Sequence, residues 1–237
     1  MDPWNESYLK QELADFGRLL YERGLIGVAD GNLSVRLDDH HLLVTPSGVP
    51  KAFMRPEQMV KTDLAGRPVS GAGRPSSEIL MHCAVFEERP DVRAVVHAHP
   101  PHATAFSIAG LGLTRCIIPE IVVTLGTVPT ARYATPGTDE LPNSVRETIR
   151  GSDALVLERH GALTVGSTLM QAFVRMDTVE HTAKITYLAR SLGHVEVLQP
   201  DEVGRLLATR KTLGIQGKNT ICDDCGARQS CSNPLYP

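Results

Sequence analysis

Two short apolar runs, each ending in histidine, constrain this chain more than any other feature. The first is Ala94-Val95-Val96-His97-Ala98-His99, and the second is Ala154-Leu155-Val156-Leu157-Glu158-Arg159-His160-Gly161. Side chains alternate faces along a strand, so both imidazoles of the first run point the same way. Two neutral imidazoles from one strand make half of a tetrahedral metal site, which a carboxylate or a further imidazole would complete. His160 is a candidate third ligand, followed by a glycine that lets the backbone turn sharply. Glu78, after Pro75-Ser76-Ser77 at a helix start, is the candidate carboxylate. Acidic residues also favour a first helical turn for dipole reasons alone.

The pattern around these runs alternates helix and strand. Leu9, Leu13, Phe16 and Leu20 predict an amphipathic helix over residues 6–23 that ends near Gly24. Residues 33–37 and 41–45 read as strands joined by a turn at Asp38-Asp39-His40, and 59–63 as another. A helix from Ser77 to about Glu88 is stopped by Pro90, and Pro100-Pro101 starts one that runs through Ile108. Thr138 is a suitable N-cap for a further helix, a long one follows from about Thr168 to Leu192 before Gly193, and a last one spans about Pro200 to Thr212. With no internal repeat and no linker before residue 213, residues 1–212 read as one α/β domain and 213–237 as a tail.

The chain's 237 residues suffice to bury a good core, and its 42% hydrophobic and 22% charged content is that of a soluble globular protein. A net charge of −3 argues against nucleic acid or an anionic membrane as the main partner. No apolar run approaches the roughly 20 residues that span a bilayer, and the first residues lack a basic-then-apolar signal, so cytoplasm is expected. Cys83 and Cys116, in apolar surroundings, read as reduced core thiols. The tail's Cys222, Cys225 and Cys231 fall one ligand short of a structural zinc site, leaving a redox pair or plain thiols as alternatives.

Gly31-Asn32-Leu33-Ser34, Thr45-Pro46-Ser47-Gly48, Pro75-Ser76-Ser77-Glu78, His97-Ala98-His99 and Arg159-His160-Gly161 occur in one order. In order and spacing they resemble the class II aldolase/adducin family, most closely its L-fuculose-1-phosphate aldolase branch. Tyr133-Ala134-Thr135-Pro136-Gly137-Thr138 resembles a further family segment, and the similarity runs from about Leu9 to Leu207. The resemblance implies a single domain with a mostly antiparallel central sheet flanked by helices. It also implies a homotetramer with sites at subunit interfaces.

The chemistry it implies is reversible cleavage of a ketose 1-phosphate to dihydroxyacetone phosphate and an aldehyde. His97, His99 and His160 would bind a divalent cation, zinc by resemblance, with manganese, cobalt or iron accepting the same ligands. Glu78 would be the acid/base and a further ligand in the absence of substrate. Three small-residue turns offer backbone N–H groups and short polar side chains suited to a phosphate. By resemblance Asn32, Ser47, Gly48, Ser76 and Ser77 hold it, with Gly31 beside them. On the aldehyde side the chain departs from L-fuculose-1-phosphate aldolase. It has Pro136 in place of an aromatic residue and no tyrosine around Ile118-Pro119-Glu120. Glu120, read as a loop carboxylate, and Tyr236, borrowed from a neighbouring subunit, are the candidates there. The departures bring in a 5-deoxypentulose or 5-methylthiopentulose 1-phosphate as the substrate in place of L-fuculose 1-phosphate. Alternatives on the same site are a ribulose-phosphate 4-epimerase, a methylthioribulose-phosphate dehydratase and a sugar-acid-phosphate decarboxylase. The epimerases carry aspartate where Glu78 stands. An adducin-like scaffold would have lost the ligands that this chain retains.

Overall fold

The computed structural model describes residues 5–218. Its centre is one eight-stranded sheet in the order β4-β3-β2-β1-β5-β8-β7-β6. The strands are β1 (Asn32–Arg36), β2 (His41–Val44), β3 (Val60–Asp63), β4 (Pro68–Ser70), β5 (Ala94–Ala98), β6 (Thr130–Ala131), β7 (Ala154–Leu157) and β8 (Gly161–Gly166). Every neighbouring pair is antiparallel except β6 with β7.

Among the described residues, seven α-helices cover the sheet: α1 (Glu6–Glu22), α2 (Ile79–Glu88), α3 (Pro101–Ile108), α4 (Pro119–Thr124), α5 (Glu140–Ile149), α6 (Leu169–Leu192) and α7 (Pro200–Thr212). Strand alternation divides the interior into two cores. Leu33, Val35, Ala94, Val96 and Val156 join α1, α3 and α6 on one face, through residues such as Leu13, Phe106 and Met176. On the other face Leu42, Val95, Leu155 and Leu163 join α2 and α5, through Met81, Phe86 and Val145. His97 has the parity of Val95, so it faces α2. Both described cysteines, Cys83 and Cys116, are buried, as read from the sequence.

Boundaries follow local chemistry. Asn5 caps α1 by accepting from the backbone N–H groups of Ser7 and Tyr8, and Thr168 caps α6 by accepting from that of Gln171. The helix expected from Ser77 begins at Ile79, which leaves Glu78 in the cap position. Asp139, not Thr138, takes the cap position of α5, although the Thr138 hydroxyl still accepts from the Glu140 N–H at 3.3 Å. Residues 213–218, read as the start of a tail, lie against the domain. The Lys218 N–H donates to Asp153 at 2.8 Å, and Arg210 donates to the Gly217 carbonyl at 3.0 Å.

Candidate metal and proton-transfer site

His97 sits on β5, wholly buried, and its Nδ1 lies 2.9 Å from the Ala162 carbonyl of β8. A carbonyl only accepts, so this nitrogen carries the proton and the Nε2 of the neutral ring presents a lone pair. His99, two residues on, brings its Nε2 to 3.1 Å from that of His97. The third histidine arrives from a hairpin. Leu157 and Gly161 are paired across β7 and β8, so residues 158–160 form the connecting loop, with Arg159 at φ 56°. His160 stands at its end, with its ring centroid 4.8 Å from that of His97 and 5.0 Å from that of His99.

Two glycines make this approach possible. A Cβ on Gly161 would overlap the Ala98 carbonyl oxygen and lie 2.7 Å from the His99 ring. At Gly31, φ is +69° and a Cβ would come within 2.8 Å of the His97 carbonyl oxygen.

Glu78 completes the cluster. It makes no capping bond to α2. Its carboxylate instead spans two rings, 3.3 Å from His97 Nε2 and 3.2 Å from His160 Nε2. The dipole explanation of an acidic residue at this helix start is therefore insufficient. Burial works to raise the Glu78 carboxyl, but hydrogen bonding to His160 and His97, the charge of His97 and the Asn32 amide outweigh it. The group is held well below the usual carboxylate range. Burial, followed by the neighbouring His97 and His160, pushes His99 down to about 4. At neutral pH Glu78 is therefore ionised, with the Nε2 atoms of His97 and His160 turned toward it.

Such convergence of acceptors suits a cation. The ligating atoms of the three histidines lie within 4.8 Å of one another. Zinc–nitrogen bonds of about 2.0–2.1 Å place the donor atoms of a tetrahedron roughly 3.3 Å apart. The contacts of 3.1, 3.2 and 3.3 Å among His97, His99, His160 and Glu78 match that edge. The residues fit a divalent cation. His160 Nδ1, the nitrogen turned away from Glu78, is buried without a hydrogen-bond partner among the described residues.

The small-residue turns lie beside this cluster. The Ser47 N–H donates to the Arg74 carbonyl at 2.9 Å and the Ser76 N–H to the Thr45 carbonyl at 3.3 Å, zipping the two loops together. Ser47, Gly48 and Ser77 remain exposed there, and Ser76 accepts from the Glu78 N–H at 3.3 Å. Asn32 is the partner of His97 across β1 and β5, and its Nδ2 donates to Glu78 at 2.8 Å.

Other expected residues fall elsewhere. Glu120 is exposed in the first turn of α4, a helix where the sequence reading has a loop. Tyr236 and the three tail cysteines lie outside the described residues. His102 bonds through Nδ1 to Glu180 at 2.7 Å, and the same carboxylate accepts the His102 and Ala103 backbone N–H groups, closing the start of α3. A cleft of about 910 Å³ opens between α2 and α5, lined by Leu64, Leu80, Cys83, Phe86, Pro142 and Arg146 among others. It holds no histidine, so chemistry rather than size locates the site. Sequence reasoning missed His82, whose ring contacts both Asn32 and Ser34. The available signal was its spacing, one helical turn beyond Glu78.

Comparison with known proteins agrees with this geometry. Residues 11–187 match the model of the class II aldolase and adducin N-terminal domain, and the chain belongs to that family. It is 34% identical over 212 residues to the 5-methylthioribulose-1-phosphate/5-deoxyribulose-1-phosphate aldolase of Rhodospirillum rubrum, covering 90% of this chain and 95% of that protein. It is 32% identical over 187 residues to the 3-oxo-tetronate 4-phosphate decarboxylase of Escherichia coli K12, covering 77% and 88%. Among solved structures, an L-fuculose 1-phosphate aldolase superposes with a TM-score of 0.79 at 34% identity, over 85% of this chain and 95% of that one. The relatives thus divide between aldolases of ketose 1-phosphates and a decarboxylase.

Proposed function

We propose that the protein is a metal-dependent aldolase that reversibly cleaves a ketose 1-phosphate to dihydroxyacetone phosphate and an aldehyde. The observation that carries this reading is the Glu78 carboxylate, released from helix capping and held between His97 and His160. In cleavage, the C4 hydroxyl gives its proton to water as its oxygen becomes the aldehyde carbonyl, and the electrons of the C3–C4 bond pass to the C2 carbonyl, leaving an enediolate on the phosphate-bearing half. His97, His99 and His160 would hold a divalent cation, zinc in the first instance, which would supply Lewis-acid stabilisation of that negative charge. Glu78, ionised at rest, takes up a proton from water and delivers it to C3, and in the synthetic direction removes it from C3 and passes it to water.

Ser47, Gly48, Ser76 and Ser77 bind the substrate phosphate through hydroxyl and backbone N–H groups. Asn32 adds the amide hydrogen not given to Glu78, with Gly31 allowing close approach. Three candidate substrates form the working set: 5-deoxyribulose, 5-methylthioribulose and L-fuculose 1-phosphates. The near-complete coverage of the Rhodospirillum rubrum aldolase supports the first two. Glu120 and Tyr236 are the candidates for contacting the aldehyde oxygen across a subunit boundary. The same reading makes the protein a homotetramer with its sites at subunit interfaces.

A second reading has support in the decarboxylase relative. Loss of carbon dioxide from a 3-oxo-tetronate 4-phosphate leaves the same enediolate of dihydroxyacetone phosphate, so Glu78 would protonate the same carbon. Only the leaving group differs. Release of dihydroxyacetone phosphate from the three ketose phosphates and from 3-oxo-tetronate 4-phosphate, with and without chelator, separates the two. Chelator-sensitive release from a ketose phosphate is expected. Release from the keto acid alone would replace the aldolase reading by decarboxylation.

A further inference from the structure

The polar side of β1 meets α2 in three steps. Asn32, Ser34 and Arg36 share one face of the strand, and Glu78, His82 and Phe86 share one face of the helix. Two strand residues rise about 6.6 Å and four helical residues about 6 Å, so the two series stay in step. Asn32 meets both Glu78 and His82, Ser34 meets His82, and Arg36 donates to the Phe86 carbonyl at 2.8 Å.

His82 is 1% exposed and both its ring nitrogens are engaged, Nδ1 by Ser34 Oγ at 2.6 Å and Nε2 by Asn32 Oδ1. The proton positions follow from Glu78 outward. A carboxylate only accepts, so Asn32 must turn its nitrogen toward Glu78 and its oxygen toward His82. That oxygen requires a hydrogen on His82 Nε2. The neutral ring then accepts at Nδ1 and Ser34 donates, giving a one-way chain from Ser34 through His82 and Asn32 to Glu78. Because an amide stands in the chain, it orients groups and does not relay protons. Flipping the amide would set its oxygen against the carboxylate, two acceptors face to face.

We propose that His82 is a positioning residue that locks the Asn32 amide with its nitrogen toward Glu78, and so holds the Glu78 carboxylate in place for proton transfer. The inference rests on the role of Glu78 in the proposed reaction. It separates His82 from a plain core residue because it depends on one atom, the hydrogen on Nε2. Glutamine can set a donor where Nε2 stands, whereas asparagine reproduces only Nδ1.

The test uses the full chain loaded with zinc, comparing wild type, His82→Gln and His82→Asn for kcat, KM, bound metal and melting temperature. The expected result is kcat within about fivefold of wild type for His82→Gln. For His82→Asn it should fall about 100-fold, the upper end for partners of a metal-site residue, with metal content unchanged. Equal kcat losses in both variants, or a loss confined to KM or to bound metal, would overturn the proposal. Histidine ¹⁵N spectra of the wild type are independent of turnover and of variant folding. They should show His82 protonated on Nε2 and bare on Nδ1, and the opposite tautomer would overturn the inference. If the wild type turns over none of the four substrates, the functional reading fails, and the tautomer alone decides the orientation of Asn32.

Discussion

At the residue scale the site depends on a few atoms with no substitute nearby. Glu78→Gln keeps the shape and the Asn32 contact but cannot take or give a proton. It should retain folding and metal while losing turnover by at least about 100-fold, the lower range for a general acid/base. Wild-type turnover by this variant would remove Glu78 from the chemistry. Gly161→Ala adds one methyl against the Ala98 carbonyl and the His99 ring. Metal affinity should weaken by about tenfold or more as His99 is displaced, and a titration giving the wild-type dissociation constant would contradict this account. Burial, followed by the charge of His97, pushes His82 down to about 3 from an ordinary value of 6.5. Between those values the unfolded chain binds a proton that the folded chain refuses, so stability falls as pH drops through that window. Urea midpoints measured from pH 7 to pH 4 should therefore fall more steeply for wild type than for His82→Leu. Parallel slopes would show that His82 titrates freely in the folded state.

At the element scale the sheet brings distant segments to one edge. β1 lies between β2 and β5, and β8 lies between β5 and β7, so the start of β1, the end of β5 and the β7–β8 loop meet. The long elements were legible in the sequence because their periods are carried by many residues. Leu9, Leu13, Phe16 and Leu20 mark α1, and Thr168 and Gly193 bracket α6. Short ones were not. β6 has two residues and β4 three, too few to show alternation. β8 was hidden behind Gly161, read only as a turn, and α4 behind Pro119, read as a loop rather than a first helical turn. The histidines and Glu78 were legible by type and spacing. The bond from Asn32 to Glu78 was not, since it depends on a strand pairing 65 positions apart in the chain, Asn32 with His97. Phe86, 3% exposed beneath the Arg36 guanidinium, anchors the end of the β1–α2 ladder. Phe86→Ala should cost about 3–5 kcal/mol, read as a lowered denaturant midpoint, and a change below about 1 kcal/mol would mean that α2 is held mainly by its other contacts.

At the scale of the whole molecule, one face of the sheet carries a continuous core with five helices and the other carries α2, α5 and the site. No helix among the described residues is long and apolar enough to cross a membrane. A cation bound by residues from β5 and the β7–β8 loop ties the centre of the sheet to the start of α2 through Glu78, and binding to the folded state alone must stabilise it. At a metal concentration about 1,000 times the dissociation constant the gain is about 4 kcal/mol, equivalent to roughly 8–16 °C in melting temperature for a chain of this size. A scan unchanged by chelation and metal return would argue that these histidines hold no ion. The most direct test of the central claim needs no knowledge of the aldehyde. Dihydroxyacetone phosphate is incubated with the metal-loaded protein in deuterium oxide and the loss of its C3 hydrogen is followed by proton NMR. Wild type should exchange one hydrogen, chelated protein none, and metal-loaded Glu78→Gln none. Exchange that survives both chelation and Glu78→Gln, or wild type that exchanges nothing while holding metal, would contradict metal-dependent proton transfer by Glu78.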